Sequence, residues 1–234
     1  MKKALLVILV ILLMAGSFVA GWLIPADDTL TADVIFPDVT DKNENENTEV
    51  TDNALAEEGA LRNVFFSPKT GSDETGNGSQ GAPFETLEKA KEYAKTLTLA
   101  ENETICYLEF LMSVDVRTMA AAGVSSSKGG INMIPFTGST EGAYFTGEIV
   151  GQGCDTQKYN MGSPVFSARY LIKGKDYTGQ SCSIYIENSG DALDKCSPMI
   201  ITDSRALAEW QDYDLRAIVT PIGTGVIVDM YRIH

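Results

Sequence analysis

The chain has 234 residues but only one histidine, His234. Because no histidine lies inside the chain, an internal Ser-His or Cys-His pair cannot carry out nucleophilic catalysis. The sequence also lacks a Cys-x-x-Cys pair, so we predict no metal site, and we predict no cofactor. Lysine and arginine total 18 against 32 acidic residues and form no basic stripe, which predicts that nucleic acid is not a partner.

Cysteine is scarce as well, with four residues in the whole chain. They are Cys106, Cys154, Cys182 and Cys196, and no two of them are close in sequence. An even number of cysteines in an exported chain permits two disulfides, and four cysteines allow three pairings. The sequence does not choose among these pairings.

A long apolar run occurs at the N-terminus, where Lys2 and Lys3 precede the run from Ala4 to Ile24. This pattern is typical of an export signal, and about 20 apolar residues are also enough to span a bilayer. Residues 1–25 are therefore predicted to be either a cleaved signal peptide or a retained anchor in contact with the membrane. In both cases the two lysines stay inside, and the rest of the chain is extracellular or at the cell surface.

Residues 26–61 are predicted to be an acidic, disordered linker. Between Asp27 and Glu58 the sequence has eleven acidic residues and one basic residue, Lys42. Low hydrophobicity with charge of one sign favours a solvated, extended segment. Its stretch DKNENENTEVTD alternates oxygen-bearing side chains like a calcium loop. Glu46 stands where such a loop needs glycine, so a polar spacer is the favoured interpretation.

Residues 62–100 follow a strand, loop and helix pattern. The strand NVFFS leads into the turn-rich stretch PKTGSDETGNGSQGAP, after which Leu87, Ala90, Ala94 and Leu97 recur at helical spacing. This order resembles the N-terminal cap of secreted right-handed parallel β-helix proteins such as pectate lyases, in which the helix plugs the first coil. A β-helix must then stack further coils, and no such period follows, so polysaccharide cleavage is not favoured.

Residues 101–234 consist of short β-rich runs separated by glycine turns about every ten residues. This spacing predicts a mainly β fold in which about eight strands close an antiparallel barrel. The interior of such a barrel is filled by side chains or holds one small ligand. The candidate strands are ICYLEFLMSVDV, INMIPF, AYFTGEIV, VFSARYLIKG, CSIYIEN, PMIITD, LRAIVTPIG and GVIVDMYRI.

Three stretches of this region, residues 129–157, 166–190 and 213–233, resemble the domain-of-unknown-function family numbered 3237. They contain, in order, a glycine-bearing strand, the acidic turn GCDTQ, an ARY strand, the hairpin DYTG and a terminal GTG turn. The resemblance implies a small antiparallel barrel similar to the allene-oxide-cyclase-like barrels, which are often dimeric, so a homodimer is a further expectation. The chain departs from the family pattern in having a cysteine before the acidic residue of that turn and Thr156 after it, where an aromatic residue is common.

The acidic turn contributes two candidate ligand-binding residues, Asp155 and Gln157. The glycines before them would bring the backbone close to whatever fills the barrel mouth. The alternative is that Asp155 only caps backbone donors in a strained turn. Asn188 and Gly190, in the stretch IENSG, are interpreted as an ordinary hairpin turn.

The strand VFSARYLIKG contributes two more candidates, Arg169 and Tyr170, which strand alternation places on opposite faces. A buried Arg169 would need a carboxylate partner, for which Asp155 and Glu187 are available. Such an inward pair would polarise a carbonyl or hold an anionic ligand, whereas an outward pair would be surface decoration. The Tyr170 hydroxyl would donate to a ligand oxygen or find a structural partner.

Four functions are compatible with these features, and whether the chain is an enzyme is left open. The leading hypothesis is an exported barrel that binds a small apolar or carbohydrate-like ligand, with Asp155, Gln157, Arg169 and Tyr170 as its polar contacts. The second is a cofactor-free isomerase or cyclase in which Arg169 polarises a carbonyl and Asp155 moves a proton. The third is a structural module of the cell envelope whose outer surface meets a partner, and polysaccharide cleavage is the least favoured.

Overall fold

The computed structural model describes residues 60–159 and 164–234. The predicted signal or anchor (1–25), nearly all of the predicted linker (26–61) and its calcium-like stretch lie outside the described residues. Within the described part of the chain, no helix combines the length and the apolar character that a membrane crossing requires.

Eleven strands, one α-helix and one 3-10 helix make up the regular structure of residues 60–159 and 164–234. The helix α1 covers Leu87–Ala94, and the 3-10 helix covers Ala208–Asp212. The prediction of a mainly β fold is therefore confirmed. The strands are β1 (Leu61–Phe66), β2 (Thr104–Thr118), β3 (Ala122–Ser126), β4 (Gly129–Glu141), β5 (Phe145–Ile149), β6 (Gly153–Tyr159), β7 (Val165–Asp176), β8 (Ser181–Gly190), β9 (Ser197–Thr202), β10 (Leu215–Ile222) and β11 (Gly225–Ile233).

All of these strands belong to one sheet. Its main path has eight strands in the order β10-β11-β2-β4-β5-β7-β8-β9, and β1, β3 and β6 attach beside it. Every pairing is antiparallel except that of β1 with β2. At the two ends of the path, the Ala217 amide donates to the Cys196 carbonyl at 2.8 Å, and the Val219 amide donates to the Leu193 carbonyl at 2.7 Å. These two bonds connect β10 to the segment that leads into β9.

The strand, loop and helix predicted for residues 62–100 form as β1, a turn-rich loop and α1. β1 runs parallel to the first half of β2 over six paired residues. A small apolar cluster that includes Phe66 and Phe84 fills the space between β1 and α1. Phe65 points to the other side of β1 and packs against Tyr231 of β11, with ring centroids 5.3 Å apart. Backbone hydrogen bonds and buried aromatic rings thus join this segment to the sheet.

The inner face of the sheet is lined by apolar side chains that follow strand alternation. In β7, Tyr170 and Ile172 are buried while Leu171 between them is exposed. In β8, Ile184 and Ile186 are fully buried. Burial of this kind stabilises the fold by roughly 25 cal/mol for each Å² of apolar surface removed from water. Other large members of the same core are Leu111, Met112, Val114, Val116, Phe136, Phe145, Leu207, Trp210, Val228 and Met230.

β3 and β6 are not among the strands predicted from the sequence. The stretch GCDTQ is interpreted above as an acidic turn, but it lies in β6, which pairs with both β4 and β7. Asp155 and Gln157 are therefore strand residues and not part of a strained turn. Asn188 and Gly190 are likewise not a hairpin turn, since both belong to β8 and Asn188 is buried. The pattern misleads because polar side chains occupy inward positions in these strands, so the apolar alternation that marks a strand is missing.

All four cysteines are free thiols, so none of the three pairings that the sequence allows is formed. Cys106, Cys182 and Cys196 are buried, and burial raises the pKa of each of these thiols. Buried thiols of this kind stay protonated and pack like small apolar side chains.

Candidate functional site

Strand β6 places three polar side chains on one face. Residues two apart in a strand point to the same side, so Asp155, Gln157 and Tyr159 share a face. The Gln157 Nε2 donates to the Asp155 Oδ2 at 2.8 Å, and the Tyr159 hydroxyl donates to the Gln157 Oε1 at 2.6 Å. Asn132 of β4 extends the chain by donating from its Nδ2 to the Tyr159 oxygen at 3.4 Å. We call these four side chains the polar relay.

Asp155 also belongs to a row of side chains that crosses three strands. It pairs with Ala168 of β7, and Ala168 pairs with Asn188 of β8. Directly paired residues point to the same face, and adjacent strands are about 4.8 Å apart. Ala168 contributes only a methyl group between the two polar side chains. Tyr170 lies two positions further along β7, on the same inner face.

Three side-chain oxygens in these rows are buried and make no hydrogen bond of good geometry to any described residue. They are the Asp155 Oδ1, the Tyr170 hydroxyl and the Asn188 Oδ1. A buried polar atom without a partner costs about 1–3 kcal/mol, so three of them on neighbouring strands call for an explanation. A bound molecule that supplies the missing partners is such an explanation. We call these three side chains the inner polar site.

The surroundings of the inner polar site favour uncharged side chains. Burial raises the pKa of Asp155, and hydrogen bonding to Gln157 and to the nearby Ser167 amide offsets only part of this effect. Burial also raises the pKa of Tyr170. The pKa of Cys196 is raised to about 11, first by burial and then by the negative charge of Asp155. Burial therefore favours the neutral forms of Asp155 and Tyr170 more than water does, and the neutral form of each group can donate a hydrogen bond.

Aromatic and small residues shape the space around the inner polar site. Phe136 of β4 meets Tyr170 edge to face, with ring centroids 5.4 Å apart. A Cβ atom at Gly153 would lie 2.3 Å from the Phe136 ring and 2.9 Å from the Tyr170 Cβ. Only glycine at this position lets the two side chains approach so closely. Ile134, which pairs with Asp155, adds an apolar wall.

A concave surface of about 670 Å³ opens beside the polar relay, between the β3–β4 hairpin and Tyr159. Its lining includes Asn132 and Tyr159, the outer members of the relay, together with Val124 and Ile131. Its volume is in the range of small-molecule sites. The relay therefore connects an open surface of mixed polarity to the buried carboxyl group of Asp155.

Three of the four residues predicted to contact a ligand face the interior, namely Asp155, Gln157 and Tyr170. Arg169 does not join them, because it points outward from β7. Its Nη2 donates to the Glu187 Oε1 at 2.7 Å, and 54% of its side chain is exposed. Exposed ion pairs of this kind contribute little stability. Of the two carboxylates predicted as partners, Arg169 pairs with Glu187, and the structure does not bring it together with Asp155.

Three residues of this region, Asn188, Tyr159 and Asn132, are not predicted from the sequence as site residues. Asn188 follows Ile184 and Ile186 at intervals of two residues, and this parity was the one signal that placed it inside β8. The serine and glycine after it favour a turn instead. Tyr159 and Asn132 carry no comparable signal, because their neighbours along the chain are polar or partly exposed on both faces.

No family model matches this chain, and no curated protein matches it either. Several solved structures are similar to it. A protein with unknown function from Clostridium acetobutylicum ATCC 824 is 21% identical with a TM-score of 0.48, and the match covers 55% of this chain and 99% of that one. An enzyme from Penicillium herquei is 18% identical with a TM-score of 0.47, over 58% of this chain and 100% of that one. A β-barrel-like protein from Acinetobacter baumannii AYE is 22% identical with a TM-score of 0.46, over 58% and 100% of the two chains.

Proposed function

We propose that the sheet closes into an antiparallel barrel and that the protein binds one small, largely apolar molecule at the inner polar site. The observation that carries this proposal is the set of three buried oxygens on β6, β7 and β8 that make no hydrogen bond of good geometry to the described residues. A ligand carbonyl or hydroxyl oxygen would accept a hydrogen bond from the Tyr170 hydroxyl. A ligand donor would bond the Asn188 Oδ1, and the cost of leaving these atoms unpaired would then disappear on binding.

Barrel closure is supported by the backbone bonds at the two ends of the main path. The Ala217 amide bonds the Cys196 carbonyl, and the Val219 amide bonds the Leu193 carbonyl. A sheet whose first and last strands are joined has no open edge along its main path. The motif order in residues 129–157, 166–190 and 213–233 further supports a relation to the domain-of-unknown-function family 3237, which we include in the proposal.

The chemistry of the surroundings supports a neutral ligand with few oxygens. Phe136 and Ile134 offer apolar contact beside only a few polar atoms, which suits a carbonyl or phenol compound better than a sugar with a hydroxyl on every carbon. An anionic ligand is not supported, since burial already disfavours the charge on Asp155 and Arg169 points outward. Because the N-terminal apolar run is typical of an export signal, we place this binding outside the cell, free or tethered to the membrane.

Tyr170→Phe provides the sharpest test, because it removes one unpaired hydroxyl and little else. We expect the variant to be at least as stable as the wild-type protein, since the hydroxyl makes no hydrogen bond to the described residues. We expect it to bind the ligand about tenfold more weakly, the loss of one buried hydrogen bond. Native mass spectrometry of the purified protein identifies the ligand, and a thermal-shift panel of small ketones and phenols provides an independent search.

Arg169→Gln is the matched control, because it alters the neighbouring residue on the opposite face of the same strand. It should leave ligand binding unchanged. A Tyr170→Phe variant that loses stability by more than about 1 kcal/mol would show that the hydroxyl has a structural partner, which contradicts the proposal. Equal binding by both variants and the wild-type protein would contradict it as well.

A second candidate function, a cofactor-free isomerase or cyclase, is favoured by the raised pKa of Asp155. In its protonated form Asp155 would donate its proton to a ligand oxygen and recover a proton from another ligand atom, so that the product is an isomer of the substrate. Arg169 has no part in this version. Once a ligand is known, Asp155→Asn should still bind it but should not convert it, and normal conversion by that variant would exclude the role.

A further inference from the structure

A second depression, of about 120 Å³, lies at the other end of β7 from the inner polar site. Tyr177 directly follows β7 and is nine residues beyond Ala168. A strand rises about 3.3 Å per residue, so the two regions are about 30 Å apart. We call the depression the aromatic pocket. Its lining includes Glu109, Tyr144, Tyr177, Glu209, Trp210 and Tyr213.

Three rings form a corner in the aromatic pocket. Tyr144 meets Tyr177 with centroids 6.1 Å apart and ring planes at 82°, and it meets Trp210 at 5.9 Å and 76°. Trp210 is 5% exposed and anchors the corner from the 3-10 helix. Tyr177 is 53% exposed and forms its outer wall. Rings set nearly at right angles can form adjacent walls of one space, and the face of an aromatic ring attracts organic cations.

Apart from Lys69, the charged side chains around the aromatic pocket are more negative than positive. Glu109 contacts the His234 Nε2 at 2.7 Å and the Arg232 Nη1 at 3.9 Å. Glu209 accepts a hydrogen bond from the Tyr213 hydroxyl at 3.0 Å, and Arg232 lies over the Tyr213 ring at 3.9 Å. Leaving His234 and Lys69 aside, the two carboxylates of Glu109 and Glu209 therefore face the one guanidinium of Arg232. One more cation would balance the charge.

The carboxylates of the pocket also affect the pKa values of its tyrosines. The pKa of Tyr144 is raised, first by burial and then by the charge of Glu109. The pKa of Tyr213 is raised by burial and by its hydrogen bond to Glu209. Both tyrosines therefore stay neutral, which keeps their ring faces attractive to a cation without adding a phenolate charge.

A cation from the chain itself already sits at the corner. Lys69, in the loop between β1 and α1, places its Nζ 5.5 Å from the ring centroids of both Tyr144 and Tyr177. This distance is within the 6 Å range of a cation–π contact. Lys69 is exposed, so its ammonium group keeps much of its water and is held only weakly. The side chain is free to swing away if a better cation arrives.

We propose that the aromatic pocket is a binding site for a small organic ammonium ion. In the absence of that ligand, the Lys69 ammonium group makes the cation–π contacts that the ligand would make. The corner of Tyr144, Tyr177 and Trp210 would supply the ring faces, and Glu109 and Glu209 would supply the balancing charge. The volume equals about four water molecules, which suits a methylated ammonium group and not a larger headgroup. The site is separate from the inner polar site and does not depend on the function proposed there.

Isothermal titration of the full-length protein with tetramethylammonium chloride and with choline tests the proposal. The neutral choline analogue 3,3-dimethylbutan-1-ol has the same shape without the charge, and sodium chloride matches the ionic strength. We expect both cations to bind saturably and the neutral analogue to bind at least about tenfold more weakly. Lys69→Ala should tighten cation binding about two- to fivefold, because it removes the internal competitor. Tyr177→Ala should weaken it by a similar factor.

Lys91→Ala is the matched control for the loss of a lysine, since Lys91 lies in α1 and is exposed. It should leave the affinity unchanged. Lys69 and Tyr177 are both exposed, so neither variant should impair folding, and thermal melting verifies this. Equal binding of the neutral analogue or an unchanged affinity in Lys69→Ala would each overturn the proposal. The absence of saturable binding by either cation to Lys69→Ala would overturn it as well.

Discussion

The Asp155 carboxyl group accepts a hydrogen bond at Oδ2 from Gln157, while its Oδ1 is buried without a partner of good geometry among the described residues. Burial raises the pKa of this group above the ordinary value for aspartate. The folded protein therefore holds the Asp155 proton more tightly than the unfolded chain does. Protonation and folding are linked at this residue, and the ionised form is the one that costs stability.

Asp155→Asn tests this linkage, because asparagine keeps the shape of the side chain but cannot ionise. Unfolded aspartate titrates near pH 3.9, so the wild-type protein should lose stability as the pH rises from about 4 through the raised pKa of the folded state. Relative to Asp155→Asn, we expect the wild-type protein to become less stable as the pH rises above about 4, until the carboxyl group of the folded state has ionised. Urea denaturation of both proteins at several pH values measures the difference.

Asp176 provides a control of opposite sign. Its pKa is lowered by hydrogen bonds from Thr178 and from Ser204. Its contribution is therefore present above the pKa of unfolded aspartate and is lost as the pH falls through the lowered value. Asp176→Asn should be less stable than the wild-type protein at about pH 7, and the gap should close on acidification. If Asp155→Asn follows the same trend as Asp176→Asn, the ionised Asp155 stabilises the fold and our account of its environment is wrong.

At the scale of strands, the sequence predicts best where one face is apolar. β11 is predicted to the residue, and β8 is predicted except at its ends, because Ile184 and Ile186 in β8 and Val228 in β11 alternate with polar or partly exposed neighbours. β6 is missed because its inward residues are the polar ones. Some residues of the candidate site were thus predictable one by one, but their arrangement into a site was not. Its geometry depends on β6 pairing with β4 and β7, which no local pattern in GCDTQ encodes.

The start of α1 is an element whose stabilisation can be measured directly. Thr86 is its N-cap: its Oγ1 accepts from the Lys89 amide at 3.1 Å and donates to the Asp73 Oδ2 at 2.7 Å. Thr86→Ala removes both bonds and should lower the free energy of unfolding by about 1–2 kcal/mol. Thr86→Ser keeps the hydroxyl and should cost little. Equal losses in the two variants would attribute the effect to packing of the threonine methyl group, and urea denaturation separates the cases.

At the scale of the whole molecule, the resemblance of residues 62–100 to a β-helix cap predicts the strand, loop and helix but not what they contact. In this chain the segment meets the antiparallel sheet. β1 pairs with the first half of β2, and Gln80 in the following loop donates to the Asp229 Oδ2 of β11 at 2.7 Å. Long-range pairing of this kind is decided by which edge is open in the folded sheet. Local sequence therefore cannot reveal it.

Deletion of residues 60–97 should consequently destabilise the remaining sheet. The deletion removes six paired residues along β2 and the buried rings of Phe65 and Phe66, each worth about 1.5–3 kcal/mol. For a domain of this size we expect the melting temperature to fall by about 10 °C or more. The uncovered edge of β2 should also promote association, which size-exclusion chromatography detects. Gln80→Ala removes only an exposed hydrogen bond and should melt close to the wild-type protein. An unchanged melting temperature and elution volume after the deletion would show that the segment is only a spacer and that the sheet is stable with that edge of β2 open.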